Sequence, residues 1–124
     1  MPKLVAVLDD LFFTVKINEA AKRAGFPVKF VKSETDVLAH AAEKPALIIF
    51  DLNCGALEPL KVIGKLKADP ELKGISVIGY LSHVQGELKQ AAQAAGCDMV
   101  MPRSAFSQNL PQILKRHSGV HLGG

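Results

Sequence analysis

The sequence predicts an α/β domain in which a parallel sheet is covered by helices on both faces. Five short apolar runs alternate along the chain with segments of helical period, a pattern typical of right-handed strand–helix–strand units. Three of these runs, at 4–8, 46–50 and 75–81, are apolar almost throughout. Such runs are typical of strands that are buried on both faces of a parallel sheet.

The predicted strands lie at 4–8, 28–31, 46–50, 75–81 and 99–101. The second of them, Val28-Lys29-Phe30-Val31, is short and half polar, as expected for an edge strand. Five strands and five helices in 124 residues fit the flavodoxin-like doubly wound fold, (βα)5, with strand order 2-1-3-4-5.

The predicted helices fill the segments between the strands. Phe13 and Ile17 open a pattern of three- and four-residue steps that ends before Gly25, a typical helix stop. A second helix begins at Ser33, and further helices are expected at about 57–68, 84–95 and 106–117. In the last of these, Pro111 should mark the first turn of the regular helix, with Leu110 or Asn109 as its cap, because proline lacks the N–H that a helix interior needs.

Composition predicts one compact domain, 1–118, followed by a flexible tail, 119–124. Hydrophobic residues make up 48% and charged residues 22% of the chain, as in ordinary globular proteins. No stretch is apolar enough to span a bilayer and the first residues do not resemble a secretory signal, so a cytoplasmic location is expected. The net charge of +3 is not clustered, which argues against direct contact with nucleic acid. Cys54 and Cys97 are expected to be free thiols.

Three acids follow two strands that are neighbours in the predicted sheet. Asp9 and Asp10 follow the first strand and Asp51 follows the third, at the edge where ligands bind in this class of fold. Carboxylates that converge repel one another, so the cluster favours a bound cation, and oxygen ligands of this kind suit Mg²⁺. The alternative is that Asp9 or Asp10 caps the first helix and Asp51 caps a loop.

In these features the chain resembles the response-regulator receiver family. The segments that carry the resemblance are V-L-D-D at 7–10, A-G-F at 24–26, K-P-A-L-I-I-F-D-L-N at 44–53, L-K-A-D-P-E-L-K at 66–73 and A-A-G-C-D-M-V at 94–100. The resemblance implies two-component (phosphorelay) signalling rather than an enzyme, with Asp51 accepting a phosphoryl group from a histidine kinase or a phosphotransfer protein. It also implies a Mg²⁺ ion held by Asp9, Asp10, Asp51 and the backbone carbonyl of Asn53.

The chain departs from the family in the second half of the expected site. Receivers have a Thr or Ser at the end of strand 4, where a gap-free count from Asp51 gives Leu81, and Ser82 takes the place only if the strand slips by one residue. The expected lysine after strand 5 is replaced by Arg103, whose planar fork differs in shape from an ammonium group. Tyr80, on strand 4, is expected to be a core residue whose hydroxyl is hydrogen-bonded.

Two functions therefore stay open. In one, the chain is a phosphoacceptor; in the other, it is a pseudo-receiver that acts as a phosphorylation-independent protein-interaction module. In either case the family's usual surface for a downstream protein partner is formed by helix 4, strand 5 and helix 5. Here that surface would offer Lys89, Gln93, Ser107, Gln108 and Gln112. A monomer or weak dimer without membrane contact is expected.

Overall fold

The computed structural model describes residues 3–82 and 86–117. Strands and helices alternate strictly in the described chain. In order, they are β1 (Leu4–Val7), α1 (Leu11–Ala24), β2 (Val28–Val31), α2 (Glu34–Ala41), β3 (Leu47–Asp51), α3 (Pro59–Ala68), β4 (Ser76–Leu81), α4 (Gly86–Ala95), β5 (Met99–Pro102) and α5 (Arg103–His117). None of the helices described is long and apolar enough to cross a membrane. The predicted tail, 119–124, and the predicted start of the fourth helix at Val84 lie outside the described residues.

The five strands form one parallel sheet in the order β2-β1-β3-β4-β5. The predicted fold class and strand order are thus confirmed. Between β3 and β4 the pairs run in sequence from Leu47 opposite Ser76 to Asp51 opposite Tyr80. The carboxyl ends of β1 and β3 are therefore adjacent at one edge of the sheet, as the sequence predicts.

Alternate residues of the central strands enter two apolar layers. The α1/α5 layer contains Ile49, Ile78 and Tyr80 from the sheet, packed against residues such as Phe13 and Phe106 from the two helices. The opposite layer, against α2, α3 and α4, contains Phe50, Leu52 and Leu81 together with the buried residues of those helices. Because side chains alternate along a strand, Asp51 falls on the same face as Ile49, toward the α1/α5 layer.

The helix ends follow the capping residues of the sequence. Helix α1 ends at Gly25, whose φ of 77° is left-handed, a conformation that glycine adopts without steric cost. Helix α2 begins after Ser33, whose side chain accepts a hydrogen bond from the N–H of Asp36. Helix α3 begins at Pro59 in its first turn, two residues later than predicted, since proline favours that position.

The prediction for Pro111 was wrong. Helix α5 runs without interruption from Arg103 to His117, with Pro111 inside it. Phe106 and Leu110 before the proline and Ile113 and Leu114 after it are all buried. Burial of apolar side chains on both sides of Pro111 outweighs the hydrogen bond that the proline cannot make, and Pro111 itself lies on the exposed side of the helix.

Candidate functional site

Asp51 ends β3 and is the only charged residue of the described chain that is buried, with 5% of its surface exposed. One carboxylate oxygen, Oδ1, accepts a hydrogen bond of 2.9 Å from the N–H of Asn53. Burial raises the pKa of Asp51, and the nearby acids Asp10 and Asp9 raise it further, against the opposing effects of the Asn53 N–H and Arg103. The ionised carboxylate is thus held where the protein only partly compensates its charge.

Asp10 is the N-terminal cap of α1. Its Oδ1 accepts hydrogen bonds from the N–H of Phe12 at 2.9 Å and of Phe13 at 3.3 Å. The capping role considered from the sequence is therefore present for Asp10, while Asp9 is exposed to solvent. Both acids remain close enough to Asp51 to act on its pKa.

The acids at this edge offer carboxylate oxygens, which are the ligands that Mg²⁺ prefers. They lie beside Asp51, whose buried negative charge is only partly compensated by the protein. Within residues 3–82 and 86–117, however, no three side chains of His, Cys, Asp or Glu are grouped closely enough to hold a metal ion. One oxygen of Asp10 is directed to the backbone of α1 instead. The chemistry of these residues suits Mg²⁺. To bind the ion, however, their carboxylates would have to come closer to one another than they are in this structure.

The end of β4 carries the two residues considered for the hydroxyl position. Leu81 is the last residue of β4 and is buried in the layer against α2, α3 and α4. Ser82 follows it and is exposed. The N–H of Ser82 donates a hydrogen bond of 2.8 Å to Oδ1 of Asn53. Asn53, two residues after Asp51, therefore connects the segment after β3 with Ser82, the residue directly after β4.

Arg103 is the first residue of α5. Its guanidinium carbon lies 5.3 Å from the centre of the Phe13 ring, a cation–π contact, and its positive charge lowers the pKa of Asp51. The Nε atom of Arg103 is buried and forms no hydrogen bond with any described residue. A cleft of about 510 Å³ opens beside it. The polar residues that line this cleft are Lys16, Ser82, Arg103, Ser104 and Ser107.

Tyr80 is the neighbour of Asp51 across the β3–β4 pair. Its ring stacks on Phe106 at 4.7 Å and on Phe13 at 5.0 Å between ring centres, and only 1% of the residue is exposed. The hydroxyl makes no hydrogen bond within the described part of the chain, so the prediction of a hydrogen-bonded hydroxyl was wrong. Burial raises the pKa of Tyr80, and the charges of Asp51 and Asp10 raise it further.

Both cysteines are free thiols, as the sequence predicts, and the structure shows that both are buried. Burial raises the pKa of Cys54, which lies close enough to Asp9 and Asp51 for their charges to act on it. Burial also raises the pKa of Cys97 to about 11. Both thiols therefore stay protonated near neutral pH, and Cys54 packs beside the site as a small apolar residue.

Apolar side chains next to the site are a feature that the sequence analysis missed. Leu11, Phe12 and Val15, at the start of α1, are 78%, 67% and 51% exposed. The sequence did indicate this exposure in Leu11-Phe12-Phe13, directly after the acids. Adjacent residues of a helix point in different directions, so the two phenylalanines cannot both face the core. Of the predicted partner surface, Lys89, Gln93, Gln108 and Gln112 are exposed, whereas Ser107 lines the cleft beside Arg103.

In sequence, the chain is similar to a known response regulator. No protein-family model matches the chain. Along 121 residues it is 23% identical to the polar-differentiation response regulator DivK of Brucella anthropi, a match that covers 96% of this chain and 98% of DivK. With its 2-1-3-4-5 sheet and an aspartate at the end of β3, the chain is similar in sequence and in fold to response-regulator receiver domains.

Two solved receiver structures have the same fold. The phosphorylated cyanobacterial phytochrome response regulator RcpA superposes with a TM-score of 0.77 at 23% identity, over 93% of this chain and 89% of RcpA. The Mn²⁺-bound form of the response regulator Rcp1 also gives 0.77, at 17% identity, over 94% of this chain and 91% of Rcp1. At these identities the two likenesses concern the fold alone, and the bound Mn²⁺ is a property of Rcp1.

Proposed function

We propose that the chain is a receiver domain that accepts a phosphoryl group on Asp51 in the presence of Mg²⁺. The observation that carries the proposal is the burial of Asp51, the single buried charged residue in the described chain, at the carboxyl end of β3. A buried carboxylate without a matching cation costs stability. Function is therefore the better explanation for an aspartate at this position than packing is.

The transfer is a displacement at phosphorus. An oxygen of Asp51 forms a bond to phosphorus, while the bond from phosphorus to the donor breaks and the donor leaves with the bonding electron pair. The donor would be a phosphohistidine on a histidine kinase or a phosphotransfer protein. The product is an acyl phosphate, and Asp51 has one oxygen already oriented by the N–H of Asn53 at 2.9 Å.

The cation would be held by Asp9, Asp10, Asp51 and the backbone carbonyl of Asn53. Bound Mg²⁺ supplies positive charge that offsets the repulsion between these acids and the incoming phosphoryl oxygens. Asp10 can take part while it caps α1, since a carboxylate has a second oxygen that can accept or ligate. The Mn²⁺-bound structure of Rcp1 supports a divalent cation on this fold.

Arg103 would respond to the new charge on Asp51. Its positive charge already acts on Asp51, and the guanidinium can donate two parallel hydrogen bonds to an oxyanion. The exposed apolar side chains of Leu11, Phe12 and Val15 lie on α1 directly after Asp10. They would offer the phosphoryl donor protein a contact surface next to Asp51.

A second candidate function is a pseudo-receiver that binds its protein partner without phosphorylation. It is favoured by Leu81, which offers no hydroxyl at the end of β4, and by the Asn53 side chain, which already holds the N–H of Ser82 at 2.8 Å. In this case Ser82, directly after β4, would stay bound to Asn53 permanently, and the partner would bind to α4, β5 and α5.

Intact mass after incubation with Mg²⁺ and acetyl phosphate separates the two functions. We expect a gain of one phosphoryl group in the wild type and no gain in Asp51→Asn. Asp69→Asn is the matched control, because Asp69 follows α3 at the opposite end of the sheet and should leave the gain unchanged. An unmodified wild type, or an equal gain in Asp51→Asn, would refute the phosphoacceptor function and favour the pseudo-receiver.

A further inference from the structure

We infer that the hydroxyl of Tyr80 donates a hydrogen bond to the phosphoryl group on Asp51, in place of the hydroxyl that β4 lacks at Leu81. The inference rests on the proposed function, because it concerns the same acceptor site. It adds a binding residue on β4 that faces the α1/α5 layer.

The strand register places Tyr80 beside Asp51. The two residues are partners across the β3–β4 pair, and partners in neighbouring parallel strands lie about 4.8 Å apart with their side chains on the same face. Leu81, one residue later, belongs to the layer on the opposite face. β4 carries a second hydroxyl at Ser76, but Ser76 pairs with Leu47 at the other end of the strand, so Tyr80 is the hydroxyl-bearing β4 residue beside Asp51.

The aromatic neighbours hold the ring of Tyr80 in place. Phe106 stacks on it with an angle of 17° between ring planes, and Phe13 stacks on it at 30°. Phe13 in turn lies against the guanidinium of Arg103. A ring that is 1% exposed and packed against two others cannot turn its hydroxyl to solvent.

Two buried donors at this edge have no acceptor in the described chain. The Tyr80 hydroxyl is one and the Nε atom of Arg103 is the other. Buried donors are nearly always hydrogen-bonded in proteins, and an exception needs an explanation. A tyrosine hydroxyl carries its proton at neutral pH and so remains a hydrogen-bond donor.

The chemistry of the two donors selects an anion. An arginine N–H cannot bind a metal ion, and it donates only. A phosphoryl group on Asp51 would present several oxygen acceptors to the face that carries both donors. The hydrogen bond from Tyr80 would thus form only after phosphorylation and would stabilise the acyl phosphate relative to the free site.

The test uses the only tyrosine of the chain, which also contains no tryptophan. The intrinsic fluorescence of the protein therefore comes from Tyr80. Beryllium fluoride with Mg²⁺, a mimic of a phosphoryl group on a carboxylate, is titrated into the wild type and into Asp51→Asn. We expect a saturable change in Tyr80 emission in the wild type that is absent from Asp51→Asn.

Tyr80→Phe removes a single oxygen atom and keeps the ring stack. Fluorine NMR of bound beryllofluoride should then show binding about tenfold weaker or more, the usual effect of one hydrogen bond to a charged acceptor. Ser104→Ala, which removes an exposed hydroxyl from the neighbouring cleft, should bind as the wild type does. The thermal stability of Tyr80→Phe, measured in parallel, should not fall, whereas a purely structural role would lower the stability and leave the affinity unchanged.

The outcomes separate this inference from the proposed function. If the wild type binds beryllofluoride and gains a phosphoryl group, but Tyr80→Phe binds equally well, the role of Tyr80 is refuted and Asp51 remains the acceptor. If the wild type neither binds beryllofluoride nor gains a phosphoryl group, both the acceptor function and the role of Tyr80 fail.

Discussion

Removal of the Tyr80 hydroxyl should stabilise the unliganded protein. Tyr80→Phe keeps the ring and its contacts with Phe13 and Phe106, and it removes a buried polar atom that has no acceptor in the described chain. A buried donor without a partner costs about 1–3 kcal/mol. We therefore expect the free energy of unfolding to rise by about 1–2 kcal/mol, since local relaxation recovers part of that cost.

The corresponding rise in Tm follows from the size of the chain. Unfolding of 124 residues at about 2.1 cal/mol/K per residue has an entropy of about 0.26 kcal/mol/K, so each kcal/mol shifts Tm by about 4 °C. The expected rise is thus about 4–8 °C. Calorimetry and urea unfolding without Mg²⁺ measure it, and Tyr80→Leu, which also removes the ring stack, should shift Tm in the opposite direction. A loss of about 1 kcal/mol or more in Tyr80→Phe would contradict the reasoning, because it would mean that the hydroxyl is hydrogen-bonded in the folded protein.

Three further predictions concern other charged groups. Asp10→Ala should cost about 1 kcal/mol in urea unfolding, whereas Asp10→Asn, which can still cap α1, should cost little and yet weaken Mg²⁺ binding measured by calorimetry. The pKa of Asp51 is raised above its ordinary value of 3.8, mainly by burial. The carboxyl group of Asp51 therefore adds most to the free energy of unfolding at low pH, where it is protonated, and this contribution declines as the pH rises through the pKa of the folded state. Asp51→Asn should therefore be more stable than the wild type at neutral pH, with a difference in Tm that shrinks toward acidic pH; a difference that grows toward acidic pH would contradict this sign. Lys67→Met should lose about 1–3 kcal/mol in urea unfolding, because Lys67 donates to the carbonyls of Lys73 and Ile75 and to Asp98, whereas the exposed Lys65→Met control should change little.

The sheet could be predicted from the sequence because its signals are local. The apolar runs that form β1, β3 and β4 are buried on both faces, and continuous burial is what such runs predict. Topological rules then leave few arrangements of five strands and five helices. The same rules place Asp9, Asp10 and Asp51 at one edge before any side-chain position is known.

Helix α5 could not be predicted in full because local preference and tertiary packing disagree at Pro111. A proline inside a helix removes one backbone hydrogen bond, which favoured a later helix start. Phe106 and Leu110 are buried against the sheet, and this burial keeps the first half of the helix in place. The gain from such contacts depends on the partner surface and is not visible in the helix sequence.

The side-chain contacts of the candidate site could not be predicted from the sequence either. The sequence gives the strand and the face of Tyr80, but not which atoms meet its hydroxyl, and the expected hydrogen bond is not present in the described chain. Likewise, the acids at 9, 10 and 51 were predicted to converge, but not that Asp10 would direct one oxygen to the N–H groups of Phe12 and Phe13. The surroundings of the Tyr80 hydroxyl and the direction of the Asp10 oxygen both depend on side-chain geometry at the end of a strand.

The most direct test of the central claim is to locate the phosphoryl group. After incubation with Mg²⁺ and acetyl phosphate, borohydride reduces an acyl phosphate of aspartate to homoserine, and peptide mass spectrometry finds the modified position. We expect homoserine at position 51 and at no other aspartate. Homoserine at Asp9 or Asp10, or at no position in a protein that remains folded, would contradict the claim that Asp51 is a phosphoacceptor.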